Sequence, residues 1–173
     1  MVPEEVVADA NVLLSAVIGK AANKIFSEFV LRVHVAEFNA REVEEYLPMM
    51  AEKYKLPMDL VQLQWRILPI IKHAPTAAGA PGFARGSTSA VLARGYKPRA
   101  SGEPKARPLT RYARYYKKAV KDLKERDPED AHALALARAL KLPLWSNDRH
   151  LDKMDLPVFS TAKLLSILAE TRQ

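Results

Sequence analysis

The sequence predicts an α/β fold: a three-layer α/β/α sandwich around a four- to five-stranded parallel sheet, with one basic insertion. Two observations predict it. Short apolar runs alternate with helix-length segments along the chain, the pattern of a parallel sheet with helices on both faces. At 173 residues, with 49% hydrophobic and 27% charged residues, the chain fits one globular domain covering residues 1–173. The alternation is interrupted once, from His73 to about Pro108, where Ala, Gly, Pro, Ser and Arg dominate. That interruption is expected to be an inserted loop or arm over about residues 74–110.

Taken in order, Glu5-Val-Val-Ala-Asp9 reads as a short buried strand ending in an acid. Asn11 to Ser15 leads into a helix around Ala21 to Phe29. A second strand is expected at Val33 to Ala36, followed by a helix from about Ala40. Asn39 with Glu42 three residues on makes a capping-box pattern for that helix. Pro48 is expected to kink or end it. Another helix follows from about Met58 to Arg66, and Ile67 to Ile71 is a candidate third strand weakened by Pro69.

Periodicity returns at Arg111, with Tyr112, Tyr116, Ala119 and Leu123 on one helical face. Asp127 then suits an N-cap and Pro128 a first helical position for a helix reaching about Leu140. Leu142 to Trp145 reads as a strand leading to Asp148. Val158-Phe159 reads as the last strand, and Thr161 opens a C-terminal helix. Trp65, Trp145, Met49 and Met50 are expected to fill the core. His34, His73, His132 and His150 lack metal-binding spacing and read as structural or surface groups.

Charge is unevenly spread. Phe83 to Arg126 holds 13 Lys and Arg against Glu103, Asp122 and Glu125, a net of +10 within a chain of net +7. The remainder is therefore mildly acidic, and the basic segment suits phosphate backbones. The chain has no cysteine, which excludes a disulfide framework and a thiolate zinc site. No run reaches the roughly 20 apolar residues of a membrane span. The N-terminal residues lack the basic region of a secretory signal, so a cytoplasmic protein is expected.

Four acids occupy comparable places in the alternation. Asp9 closes the first strand and Asp148 follows the Leu142–Trp145 strand; Glu42 and Asp130 are each expected in the first turn of a helix. Carboxyl ends of parallel strands and N-termini of the following helices share one edge of an open sheet, where such folds bind ligands. Clustered carboxylates repel unless protons or a cation compensate them. An oxygen-only set suits Mg²⁺ or Mn²⁺, which can support phosphodiester hydrolysis. Each acid also has a plainer reading, as a turn former (Asp9, Asp148) or a capping-box member (Glu42 beside Asn39, Asp130 beside Asp127). No P-loop, GxSxG or GxGxxG motif points to another chemistry.

These residues resemble the PIN domain family. The similar stretches are Val6 to Ala16, Ala36 to Val43, Asp127 to Ala137 and Leu144 to Asp148, in that order along the chain. The resemblance implies a metal-dependent endoribonuclease, as in the toxin half of toxin–antitoxin pairs, with Mg²⁺ or Mn²⁺ as cofactor. It implies Asp9, Glu42, Asp130 and Asp148 as the acidic core, Asp127 as a further acid beside the metal, and Asn11 and Ser146 as groups orienting the carboxylates. Glu44 and Glu45 compete with Glu42, which is preferred because Val43 follows it. RNA, an antitoxin protein and a second copy of the chain are the expected partners.

The basic segment departs from the compact family form. Arg94, Lys97, Arg99, Lys105, Arg107, Arg111 and Arg114 are expected to contact RNA, while Tyr112 and Tyr116 read better as core anchors than as base-stacking rings. Two other functions compete: a nucleic-acid-binding module without catalysis, and a different Mg²⁺-dependent phosphohydrolase. The latter is disfavoured because Asp9-Ala-Asn11 lacks a second acid two residues after the first.

Overall fold

A computed structural model describes residues 2–73, 112–123 and 130–171 of the chain. Asp127, Pro128 and the predicted RNA contacts Arg94, Lys97, Arg99, Lys105, Arg107 and Arg111 lie outside them, as does the expected insertion. The first half runs β1 (Glu5–Ala8), α1 (Ala10–Ile18), α2 (Lys20–Glu28), β2 (Arg32–Ala36), α3 (Glu37–Tyr54), α4 (Met58–Ile67) and β3 (Ile70–His73). The second runs α5 (Ala113–Asp122), α6 (Asp130–Leu140), β4 (Leu144–Trp145), a 3₁₀ segment (Arg149–Lys153), β5 (Val158–Phe159) and α7 (Thr161–Glu170).

The five strands are all parallel, in the order β3-β2-β1-β4-β5. From β1 the chain moves outward through β2 and β3, then returns to the other side of β1 for β4 and β5. The boundary between β1 and β4 is thus the switch point of the sheet, where open α/β sheets leave a crevice at the strand carboxyl ends.

Alternation along the strands divides the core into two layers. Val6 and Ala8 of β1 and Trp145 of β4 join the cluster that packs with α1, α2, α3, α4 and α7. Val7 and Leu144 point the other way, into the cluster built on α5 and α6. Every residue of α6 from Asp130 to Ala137 is buried. Its alanines at 131, 133, 135 and 137 let this helix lie close to the sheet, while Leu134 and Leu136 supply apolar volume. Both tryptophans are core residues; Met49 is not, being half exposed on α3.

The main departures from expectation concern helix boundaries. The helix after β1 starts directly at Ala10, because Asp9 caps it: Asp9 Oδ1 accepts the Val12 amide at 2.7 Å. Gly19 then divides α1 from α2. Its amide closes on the Ser15 carbonyl at 2.8 Å, and a Cβ there would lie 2.7 Å from that oxygen. Helix α3 begins at Glu37, three residues before the expected start, with Ala36 as its N-cap. Asn39 and Glu42 therefore form no capping box; they sit inside the helix, joined by an Asn39 Nδ2–Glu42 Oε2 hydrogen bond of 3.3 Å. Pro48 does not end α3, which runs on to Tyr54 and closes at Lys55 in the left-handed region, φ 53°. The third strand starts after Pro69, which removes the conflict with the sheet ladder.

Candidate active site

Asp9 and Asp148 stand at the switch point. Asp9 follows β1 directly, and its amide donates to the Trp145 carbonyl at 3.2 Å, which extends the β1–β4 pairing to the first acid. Asp148 stands three residues beyond the end of β4. The loop between is pinned on both sides. The Ser146 Oγ accepts the Asp148 amide at 3.0 Å, and Asn147 Oδ1 accepts the Thr161 amide at 2.9 Å. Trp145 Nε1 donates to Thr161 Oγ1 at 3.1 Å, so the start of α7 holds the strand and the loop together. Asp148 Oδ1 accepts the His150 amide at 2.8 Å and caps the 3₁₀ segment.

The Asp9 side chain is buried, and its Oδ2 has no hydrogen-bond partner among the described residues. Burial pushes its carboxyl up to about 6. The Ser146 hydroxyl and the Val12 amide pull it back, and the nearby charge of Asp148 adds to the rise. Ser146 lies near enough to act on Asp9 without completing a hydrogen bond to Oδ2.

Asp130, the first described residue of α6, lines one cavity of about 680 Å³ together with Asp148. Three of the four acids expected from the sequence thus lie in one neighbourhood: Asp9 with Asp148, and Asp148 with Asp130. Asn11 stands exposed in the first turn of α1. Ser146 is buried between the two aspartates, where an orienting group belongs.

The glutamates sort differently from expectation. Glu42 lies in the second turn of α3, not the first, because the helix starts earlier. Glu44 is turned towards other elements, accepting from Trp65 Nε1 at 3.1 Å and pairing with Lys72 at 3.3 Å. Glu37 instead takes the place that strand-end reasoning assigns to an acid, being the residue next to β2, at the N-terminus of α3. Its side chain is about one-third exposed, and Arg41 one turn on donates to it. The signal for Glu37 was in the sequence, as an acid directly after an apolar strand, like Asp9 after Ala8.

Tyr112 and Tyr116 are anchors, as their helical spacing suggested. Tyr112 is buried, and burial, then the charges of Glu37 and Tyr116, raise its phenol. His132 stacks on Phe38 with centroids 4.1 Å apart and lies 4.5 Å from the Tyr116 ring. Burial lowers the His132 imidazole to about 4, so it is neutral and serves packing. Arg114 is exposed, 4.8 Å above the Tyr115 ring.

The donor set suits a hard divalent cation. A buried carboxylate oxygen without a partner, beside a second carboxylate, is the kind of deficit a cation compensates. Among the described residues no group of three or more acids or histidines could by itself enclose an ion. Mg²⁺ does not require one, since it keeps several waters and takes one or two carboxylates plus substrate phosphate oxygens.

Residues 105–169 match the family model described as PIN domain. The matched stretch contains Asp130, Ser146 and Asp148, and it leaves Asp9 and Glu37 to the geometry of the sheet. No curated protein matches the chain. No helix among the described residues is long and apolar enough to cross a membrane.

Proposed function

We propose that this chain, whose PIN-domain identity rests on the match over residues 105–169 and on the parallel sheet around it, is a metal-dependent endoribonuclease. PIN domains are nucleases; the choice of RNA and the dependence on metal are our reading. The observation that carries it is the Asp9–Asp148 pair at the switch point, with one buried carboxylate oxygen left unpartnered among the described residues.

Asp9 and Asp148 would hold Mg²⁺ or Mn²⁺, helped by Asp130 and by Asp127. Bound there, the ion supplies an acidified water and a counter-charge for the phosphodiester. Burial keeps Asp9 out of competition with solvent, and its cap on α1 fixes the carboxylate rotamer. Ser146 and Asn147 set the position of Asp148 through the loop after β4. Glu37, rather than Glu42, is the glutamate we place beside this acidic set, because it shares the strand-end edge. The basic segment carrying Arg94, Lys97, Arg99, Lys105, Arg107 and Arg111 would recruit RNA from outside the acidic pair. A toxin role in the cytoplasm, checked by an antitoxin, and a homodimer remain part of this reading.

The test is incubation of purified protein with single-stranded and structured RNAs in Mn²⁺, Mg²⁺ or EDTA. Cleavage in either metal and none in EDTA is expected. Cleavage that survives EDTA, or no cleavage of any RNA, overturns the reading.

A further inference from the structure

Trp145, Ser146, Asn147 and Asp148 leave the sheet in sequence, and the strand ladder runs out before the acid. It reaches Ser146, whose amide donates to the Phe159 carbonyl at 3.1 Å. Beyond it, the links from Asn147 and Asp148 back to Ser146 and α7 run through side chains. One of them comes from outside the loop. Thr161, the first residue of α7, donates its amide to Asn147 Oδ1 at 2.9 Å. That amide is one of the leading N–H groups that find no partner within a helix. Ser160, the N-cap, accepts the Lys163 amide instead and leaves the Thr161 amide to Asn147.

Thr161 is itself fixed by a bond that water does not reach. Its Oγ1 accepts Trp145 Nε1 at 3.1 Å, and both residues are buried. Phe26 of α2 packs on the indole with ring centroids 5.5 Å apart, which holds Trp145 in place. The Trp145 carbonyl accepts the Asp9 amide at 3.2 Å. One chain of bonds therefore runs from the Asp9 backbone through Trp145 and Thr161 to Asn147, the neighbour of Asp148. Its last link is the weak one, because Asn147 is exposed and water competes for its side chain. The buried Trp145–Thr161 bond, stronger for lying away from solvent, keeps the α7 amide in place for that link.

We propose that Thr161 is a positioning residue for the metal site, setting the spacing of Asp9 and Asp148 through Trp145 on one side and Asn147 on the other. Mg²⁺ demands near-ideal octahedral geometry, so two carboxylates that share it must hold their spacing before it arrives. Groups that orient ligands without touching the ion commonly govern affinity by one to two orders of magnitude. Thr161 reaches both acids although it belongs to the last helix and carries no charge. The inference rests on the metal-binding reading of Asp9 and Asp148, but its test reads ion binding apart from RNA cleavage.

The experiment titrates Mn²⁺ into metal-free protein by isothermal calorimetry, with melting in EDTA recorded for each variant. Thr161→Val removes the acceptor of the Trp145 indole, Thr161→Ser keeps it, and Asn147→Ala removes the acceptor of the α7 amide. Gly19→Ala, at the far end of α1 from Asp9, is the control for general destabilisation. Thr161→Val and Asn147→Ala are each expected to weaken Mn²⁺ binding roughly tenfold, with Thr161→Ser within about twofold of wild type. Both substitutions break one chain of bonds, so the double variant should lose little more than either single. Gly19→Ala should melt lower yet bind Mn²⁺ as wild type does. Wild-type affinity in Thr161→Val, a loss that Thr161→Ser does not restore, or an equal loss in Gly19→Ala overturns the proposal. The expected pattern in a protein that cleaves no RNA sinks the nuclease reading and leaves the role of Thr161 in place. Cleavage in Mn²⁺ with unchanged affinities does the reverse, and a wild type that takes up no Mn²⁺ overturns both.

Discussion

The Asp9 amide donates to the Trp145 carbonyl at 3.2 Å, and that bond brings the acid after β1 beside the strand that leads to Asp148. It forms because β1 and β4 are parallel neighbours, with Ala8 opposite Trp145. Residues almost 140 positions apart in sequence are therefore set side by side by sheet register. The cost is a carboxylate buried where water cannot solvate it.

That cost predicts a trade between stability and activity. The folded-state carboxyl of Asp9 is raised from 3.8 to about 6, so its ionisation destabilises the metal-free fold above that pH. Fully ionised, it amounts to roughly 3 kcal/mol. Asp9→Asn keeps an acceptor for the Val12 amide and removes the charge. In EDTA near neutral pH the variant should melt several degrees higher than wild type and lose cleavage. A lower melting temperature would contradict the burial argument.

The second prediction concerns acid. His132 is held neutral, its imidazole lowered from 6.5 to about 4, so stability falls as pH drops from 6.5 towards 4. Asp9 has the opposite sign: its penalty is relieved as pH falls from about 6 towards 3.8. Between neutral pH and about pH 5 the histidine should cost about 2 kcal/mol while the aspartate returns about 1.4. Urea melts of wild type should therefore change little over this interval. Asp9→Asn should lose about 2 kcal/mol over it, and an equal response in both proteins would contradict the assignment.

Glu37 and Glu42 separate by activity. Glu37→Gln should reduce RNA cleavage by roughly tenfold to a hundredfold, with the melting temperature in EDTA little changed. Glu42→Gln should leave cleavage near wild type. Kinetics of the two variants under saturating Mn²⁺ decide between them, and the reverse order would return Glu42 to the site.

Gly19 offers a test of the fold that leaves the acids alone. A Cβ there meets the Ser15 carbonyl oxygen at 2.7 Å, so the α1–α2 junction must shift to admit alanine. Gly19→Ala should destabilise by about 1–3 kcal/mol, against the usual benefit of replacing glycine. Thermal or urea denaturation reads the sign directly.

Much of this molecule is legible in its sequence, for a physical reason. Buried parallel strands such as Val6-Val7-Ala8 are short apolar runs, and an acid placed after one stands out. Asp9 and Asp148 are picked out that way, and the sheet sets both at the β1–β4 boundary. Glu37 follows the same rule but was hidden by a local pattern: Asn39 and Glu42 have capping-box spacing, which moved the expected helix start past it. In the fold Asn39 is buried and bonds Glu42 within the helix, so the spacing alone was not decisive. Pro48 misled similarly, because its cost to α3 is outweighed by burial of Val43, Leu47 and Ala51 on the same helix. The pairing of Arg138 with Asp122 and Asp155 could not be read in advance, because it is a property of packing between α5, α6 and the loop after the 3₁₀ segment.

The most direct measurement compares wild type and Asp148→Asn on one labelled single-stranded RNA in Mn²⁺, following cleavage and binding in parallel. Asp148 is only partly buried and its loop is held by Ser146 and Asn147, so the variant should fold. The account predicts that binding is retained while cleavage falls by two orders of magnitude or so. Cleavage at the wild-type rate by Asp148→Asn would contradict it.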